Sequence, residues 1–144
     1  MIHPIHTTDY KELLSVWESS VKATHDFLSP EDVVFYKELI PTFFDQVKLI
    51  AAKDEAGNIA GFIGTNENQL EMLFVAANQR GKGFGKLLLL HAIEKCGITN
   101  VDVNQQNDHT VAFYEHFGFV IQGFSETDSF GKPYPILHMK LRAK

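Results

Sequence analysis

Arg80-Gly81-Lys82-Gly83-Phe84-Gly85 sets three glycines among two cations, and Lys86 follows directly. The stretch lies between an apolar run, Leu70-Glu71-Met72-Leu73-Phe74-Val75, and the leucines Leu87 to Leu90. It reads as a strand, a polar turn and a glycine-rich entry into a helix. A helix start with little side-chain bulk gathers unpaired backbone N–H groups at the positive end of the helix dipole, which suits a phosphate or pyrophosphate. Arg80, Lys82 and Lys86 add positive charge around the same turn. Spacing separates the phosphate motifs. A Walker A loop needs a hydroxyl where Leu87 stands. The dinucleotide fingerprint fails because Gly81-x-Gly83 leads to Lys86 and Gly83-x-Gly85 to Leu88. The pattern that fits is R-x-x-G-x-G; on its own it is also compatible with an ordinary glycine-rich strand-to-helix turn.

A second stretch narrows the choice. Asn107 is followed by Ala112-Phe113-Tyr114-Glu115-His116-Phe117-Gly118-Phe119, in the order Asn…A-F-Y-E-x-x-G-F. Together the two segments resemble the cofactor segments of the GCN5-related N-acetyltransferases (GNAT). The resemblance covers nearly the whole chain and implies the GNAT α/β fold: a mixed, mostly antiparallel central sheet of six to seven strands, a splay between two central strands, and about four flanking helices. It further implies acetyl-CoA as acetyl donor. Backbone groups of Leu73, Phe74 and Val75 would hold pantetheine and the acetyl carbonyl. Arg80, Gly81, Lys82, Gly83, Phe84, Gly85 and Lys86 would hold the pyrophosphate, and Asn107 belongs to the second cofactor segment. The plain reading of 108–117 is a short amphipathic helix ended by Gly118, which is compatible with that role.

Acetyl transfer to an amine needs an anchored thioester, a neutral nucleophile, support for the carbonyl oxygen and a proton for the leaving thiolate. Proximity alone supplies roughly 7–11 kcal/mol in well-oriented systems. The resemblance makes Tyr114 the candidate acid at the sulfur; the alternative is a core tyrosine satisfied locally. Glu71, opposite in direction to Leu70 and Met72 on a strand, is the candidate base, directly or through water. Its run also resembles the L-E-x-x-[FY]-V strand of aminoglycoside-type acetyltransferases. A surface carboxylate is the equally weighted alternative.

Two further segments shape the acceptor side. Thr24-His25-Asp26-Phe27-Leu28 links the first two helices, and Gly131-Lys132-Pro133-Tyr134-Pro135 precedes the last strand. Both resemble the YjaB-like branch of bacterial acetyltransferases, and His25, Asp26 and Tyr134 are the candidate acceptor contacts. Cys96, at the far end of the cofactor helix, is not placed to form an acyl-enzyme, so direct transfer in a ternary complex is expected. A non-catalytic acyl-CoA sensor is the alternative from another class; it would need neither Tyr114 nor Glu71. A regulator binding some other nucleotide rests on the glycine turn alone.

The elements that must position these groups follow from periodicity. Residues 1–6 read as a strand and 8 to about 24 as a helix, with Tyr10, Leu13, Leu14, Trp17 and Val21 on one face. Ser29-Pro30-Glu31-Asp32 starts a second helix that reaches about residue 44. Residues 47–53 and 59–65 form a hairpin, and 69–75 the next strand. The cofactor helix runs from about 83 to 95. A strand at 99–103, a helix at 108–117 and strands at 119–125 and 136–141 complete the order.

The 144 residues are 44% apolar and 12% aromatic, enough for one sizeable core, so 1–144 reads as a single domain. A formal charge of −5 argues against a nucleic-acid surface, and against transfer-RNA-acetylating toxins of the same superfamily. One cysteine excludes an internal disulfide and suits the cytoplasm. Seven scattered histidines lack metal-ligand spacing, so no metal is expected. No apolar run approaches a membrane span. The expected partner is an amine acceptor, on a small molecule or a protein, with the chain a monomer or homodimer.

Overall fold

The computed structural model describes residues 2–142. Its chain groups into two units, up to Ile98 and from Thr99 onward. The first unit is built on four antiparallel strands in sequential order: β1 (Ile2–Pro4), β2 (Lys48–Lys53), β3 (Ile59–Asn66) and β4 (Gln69–Val75). Its helices are α1 (Tyr10–Thr24), α2 (Pro30–Phe44) and α3 (Phe84–Cys96). The second unit holds β5 (Asn100–Asn104), α4 (Asp108–His116), β6 (Phe119–Ser125) and β7 (Ile136–Leu141), with β7 paired antiparallel to both β5 and β6. Seven strands and four α-helices among the described residues match the expected architecture.

Local chemistry explains most boundaries. Ser29 accepts a hydrogen bond from the Asp32 N–H at 3.2 Å and Pro30 occupies the first helical position, so α2 begins where the sequence predicts. The first helix departs from expectation. Thr7–Asp9 form a separate 3-10 turn, in which Asp9 accepts from the His6 N–H at 3.0 Å, and α1 proper starts at Tyr10. The expected strand 1–6 shortens to Ile2–Pro4, and Met1 lies outside the described residues.

In the first unit Leu13, Val16, Trp17 and Val21 of α1 pack with Phe44, Ala51, Phe62 and Met72 into a buried core. Side chains of α1 also reach the sheet and α2: Glu12 accepts from the Ile59 N–H at 2.8 Å, and Glu18 pairs with Lys37 at 3.1 Å. In the second unit Val101, Val103, Leu137, Met139 and Phe119 are buried, and α4 lies against β5 and β6 with Tyr114 on Phe119. No helix among the described residues is long and apolar enough to cross a membrane.

Candidate active site

Strand β4 carries the first group of residues. Gly64 pairs with Met72 and Thr65 with Leu70, so Glu71 is one extra residue on β4, a bulge that leaves its side chain exposed while Leu70 and Met72 are buried. Beyond it, Leu73, Phe74 and Val75 are half-buried and pair with Ile63, Phe62 and Gly61. Gly61 is required there: a Cβ would sit 2.8 Å from the Phe74 carbonyl oxygen and 3.1 Å from Leu88 Cδ1. The backbone of β4 is thus seated on its neighbour with no room for a methyl group.

The chain then turns through a 3-10 segment, Ala77–Gln79, pinned by Ser19 Oγ, which accepts from the Ala77 N–H at 2.9 Å. Gly81 (φ 78°) and Gly83 (φ 88°) follow in the left-handed region. A Cβ at either would meet nothing within 4 Å, so backbone conformation, not crowding, demands glycine. Gly83 precedes α3, and no side chain caps the helix. The first-turn amides of Phe84, Gly85 and Lys86 come before the first intrahelical bond, from the Leu87 N–H to the Gly83 oxygen at 3.0 Å. Arg80, Lys82 and Lys86 are all exposed beside them.

Sequence reasoning missed what holds this turn. Asp54, in the β2–β3 hairpin, accepts the Ala56 and Asn58 N–H groups through Oδ1 at 3.0 and 2.9 Å. Its Oδ2 accepts from Gln79 Nε2 at 2.9 Å, and Gln79 Oε1 accepts from Lys82 Nζ at 3.2 Å. Gln79 is buried, and its amide orientation is dictated: a carboxylate needs a donor and an ammonium an acceptor. The relay borders a cleft of about 510 Å³ lined also by Lys53 and Phe84, within the usual range for small-molecule sites. Asp54 stands in a run that reads only as a turn, and no periodicity links it to Gln79.

His25 closes α1, its N–H donating to the Val21 oxygen at 2.8 Å. The Thr24 hydroxyl donates to Ser20 O, so His25 Nδ1–H must donate to Thr24 Oγ1 at 2.6 Å. Burial, opposed by neighbouring Asp26, pushes His25 down to about 4, so the ring is neutral at pH 7. Asp26 is exposed.

In the second unit, Tyr114 is 4% exposed, with Phe113 and Phe119 edge-on to its ring at 5.4 and 5.5 Å. Burial pushes its phenol upward, so it keeps its proton across the physiological range. Asn107 is buried and caps α4, accepting from the Thr110 N–H at 3.4 Å. Tyr134 is buried at the end of a loop organised by Asp128, which accepts the Phe130 and Lys132 N–H groups at 2.9 and 3.0 Å. Among the described residues no group of three or more His, Cys, Asp or Glu side chains could hold a metal.

The chain is similar in sequence and fold to known proteins. Residues 15–142 match the model of the acetyltransferase (GNAT) domain. Over 129 residues, 90% of this chain and 88% of the relative, the sequence is 37% identical to peptidyl-lysine N-acetyltransferase YjaB of Escherichia coli. The solution structure of apo YjaB from the same organism superposes with a TM-score of 0.91 at 34% identity, over 100% of this chain and 98% of that one. The PaiA N-acetyltransferase of Thermoplasma acidophilum, crystallised with coenzyme A, shares the fold at a TM-score of 0.71 and 23% identity, over 97% and 98% of the two chains. The chain belongs to the GNAT acetyltransferase family and is an acetyl-CoA-dependent N-acetyltransferase.

Proposed function

We propose that the protein moves the acetyl group of acetyl-CoA to the ε-amine of lysine side chains in proteins, by direct attack within a ternary complex. The lysine acceptor is supported by the relatives at 36–37% identity, which are named peptidyl-lysine N-acetyltransferases. The observation that carries the cofactor half is the glycine turn: two left-handed glycines lead into an uncapped helix start, flanked by three exposed cations. Such a start offers several N–H donors to pyrophosphate at once. Leu73, Phe74 and Val75 offer the strand along which pantetheine runs.

Glu71 accepts the proton of the incoming ammonium, directly or through water, and the free amine attacks the thioester carbonyl. The C–S bond breaks as the new C–N bond forms, and the thiolate departs. With its phenol raised, Tyr114 stabilises that thiolate by hydrogen bonding, and the proton that the attacking nitrogen sheds on forming the amide passes to sulfur. His25, Asp26 and Tyr134 contact the acceptor, and Asn107 orders the second cofactor segment by capping α4. The single cysteine and the absence of a strongly basic charge balance favour a cytoplasmic enzyme without a nucleic-acid partner. Calorimetric titration with acetyl-CoA, CoA and ATP tests the cofactor half. Micromolar binding of acetyl-CoA with none for ATP is expected, and equal binding of ATP would overturn the assignment.

A further inference from the structure

Three side chains outside the proposed transfer site form one hydrogen-bonded line on the second unit. His138 Nδ1 lies 2.7 Å from Asp102 Oδ1, and His138 Nε2 lies 2.7 Å from Ser125 Oγ. A carboxylate has no hydrogen to give, so Nδ1–H donates to Asp102. In the neutral ring Nε2 is then the acceptor, and the Ser125 hydroxyl donates to it. Nucleophile, base and orienting acid are thus connected through the same two ring nitrogens as in a serine hydrolase triad.

Strand register builds the line. Asp102 on β5 and His138 on β7 are direct cross-strand partners. On β6 the register shifts between Ile121 and Gly123, leaving Gln122 as an extra residue, after which Ser125 pairs with Ile136. Ser125 therefore shares a face with Ile136 and His138; without the bulge it would point to the opposite face. Gly123 stands opposite His138, where a Cβ would already press the ring at 3.4 Å from Cδ2. This face is opposite the one on which α4 packs with Tyr114 and Phe119. The side chains of His138 and Asp102 are 42% and 52% exposed, so a small ester can reach them. Lys140, two residues along β7, is the other charged group that alternation places on this face.

We propose that Ser125, His138 and Asp102 form a second acyl-transfer centre, an esterase site for small activated acyl esters. Ser125 Oγ attacks the ester carbonyl as its proton moves to His138 Nε2, and Asp102 stabilises the imidazolium. The alkoxide or phenoxide leaves and takes that proton, giving O-acyl-Ser125. Water, deprotonated by His138, then attacks the acyl-serine; the carboxylic acid departs and the proton returns to Ser125. No other reactant is required, and the step is independent of the acetyl-CoA reading.

The probe is p-nitrophenyl acetate with the full chain, read by p-nitrophenolate release and by mass spectrometry of the quenched protein. Acetylation at Ser125 is expected, with release about a hundredfold faster than in Ser125→Ala, a size typical of positioned general-base catalysis. His138→Gln should fall as far as Ser125→Ala, because such groups act as a unit. His109→Gln, an exposed histidine on α4, should match wild type. Ser125→Cys keeps a nucleophile at the position and should still acylate there, which separates loss of chemistry from loss of fold. Release in Ser125→Ala within twofold of wild type, or acetylation confined to other residues, overturns the proposal.

Discussion

Gln79 offers a demanding test of how the cofactor turn is held. Its amide joins Asp54 to Lys82 through contacts of 2.9 and 3.2 Å, with a fixed direction of hydrogen bonding. Replacing it by leucine keeps the bulk and removes both bonds. Lys82 is exposed, so without the tether its side chain must be ordered anew when the anion binds. Ordering a lysine takes about 1–2 kcal/mol, equivalent to a loss of roughly tenfold in acetyl-CoA affinity. Chemistry at the thioester is untouched, so the Michaelis constant should rise with kcat unchanged. The direction of the bonds supplies a rescue. Gln79→Glu alone sets two carboxylates together, and Asp54→Asn alone sets donor against donor unless Gln79 turns its own donor toward Lys82. The double variant Asp54→Asn, Gln79→Glu restores the relay with reversed polarity, because the new amide at position 54 donates and the new carboxylate at position 79 accepts from both neighbours. Calorimetry with acetyl-CoA on all five proteins is the assay. Binding by Gln79→Leu within twofold of wild type refutes the tether, as does a double variant no better than the worse single one.

Three further outcomes follow from other parts of the structure. Tyr114→Phe should lower kcat about a hundredfold, the low end for removing one positioned donor to a developing anion, while acetyl-CoA affinity stays within about twofold; unchanged turnover removes Tyr114 from the chemistry. His25, depressed from 6.5 to about 4 by burial, is neutral in the folded chain where the unfolded chain is protonated. Its contribution is complete above pH 6.5 and is lost as pH falls toward 4, by about 3 kcal/mol, so denaturant melts should show a shallower acid decline in His25→Gln than in wild type. Gly61→Ala forces β4 away from a contact of 2.8 Å at the Phe74 carbonyl; about 1–3 kcal/mol of stability should be lost in urea melts, with weaker acetyl-CoA binding as the strand shifts.

Much of the framework was legible because local signals agreed with the tertiary arrangement. Ser29-Pro30 begins α2, the strand bounds expected for 69–75, 119–125 and 136–141 hold to the residue in β4, β6 and β7, and positive φ at Gly81 and Gly83 is what the glycine spacing implies. Pro41 inside α2 shows the limit of such signals, since packing carries the helix past a residue that ordinarily ends one. The relay and the serine line were not legible for a different reason. Asp54 and Gln79 are 25 residues apart, and Asp102 and His138 are 36 apart. Ser125 meets His138 only because a single bulged residue reverses the face it points to. Register of this kind depends on how strands pair, which no short window of residues encodes. His25 was identifiable as a loop residue of interest, whereas its burial and its role in closing α1 came only with the packed helix end.

Direct transfer of acetyl to a lysine amine can be followed atom by atom. The decisive measurement incubates the protein with isotopically labelled acetyl-CoA and a lysine peptide blocked at its N-terminus, following free thiol and peptide mass together. One labelled acetyl group on the ε-amine for each CoA released, with no label retained on the protein, is the predicted result. CoA release without an acetylated peptide, or label passing through a protein side chain before reaching the lysine, would contradict it.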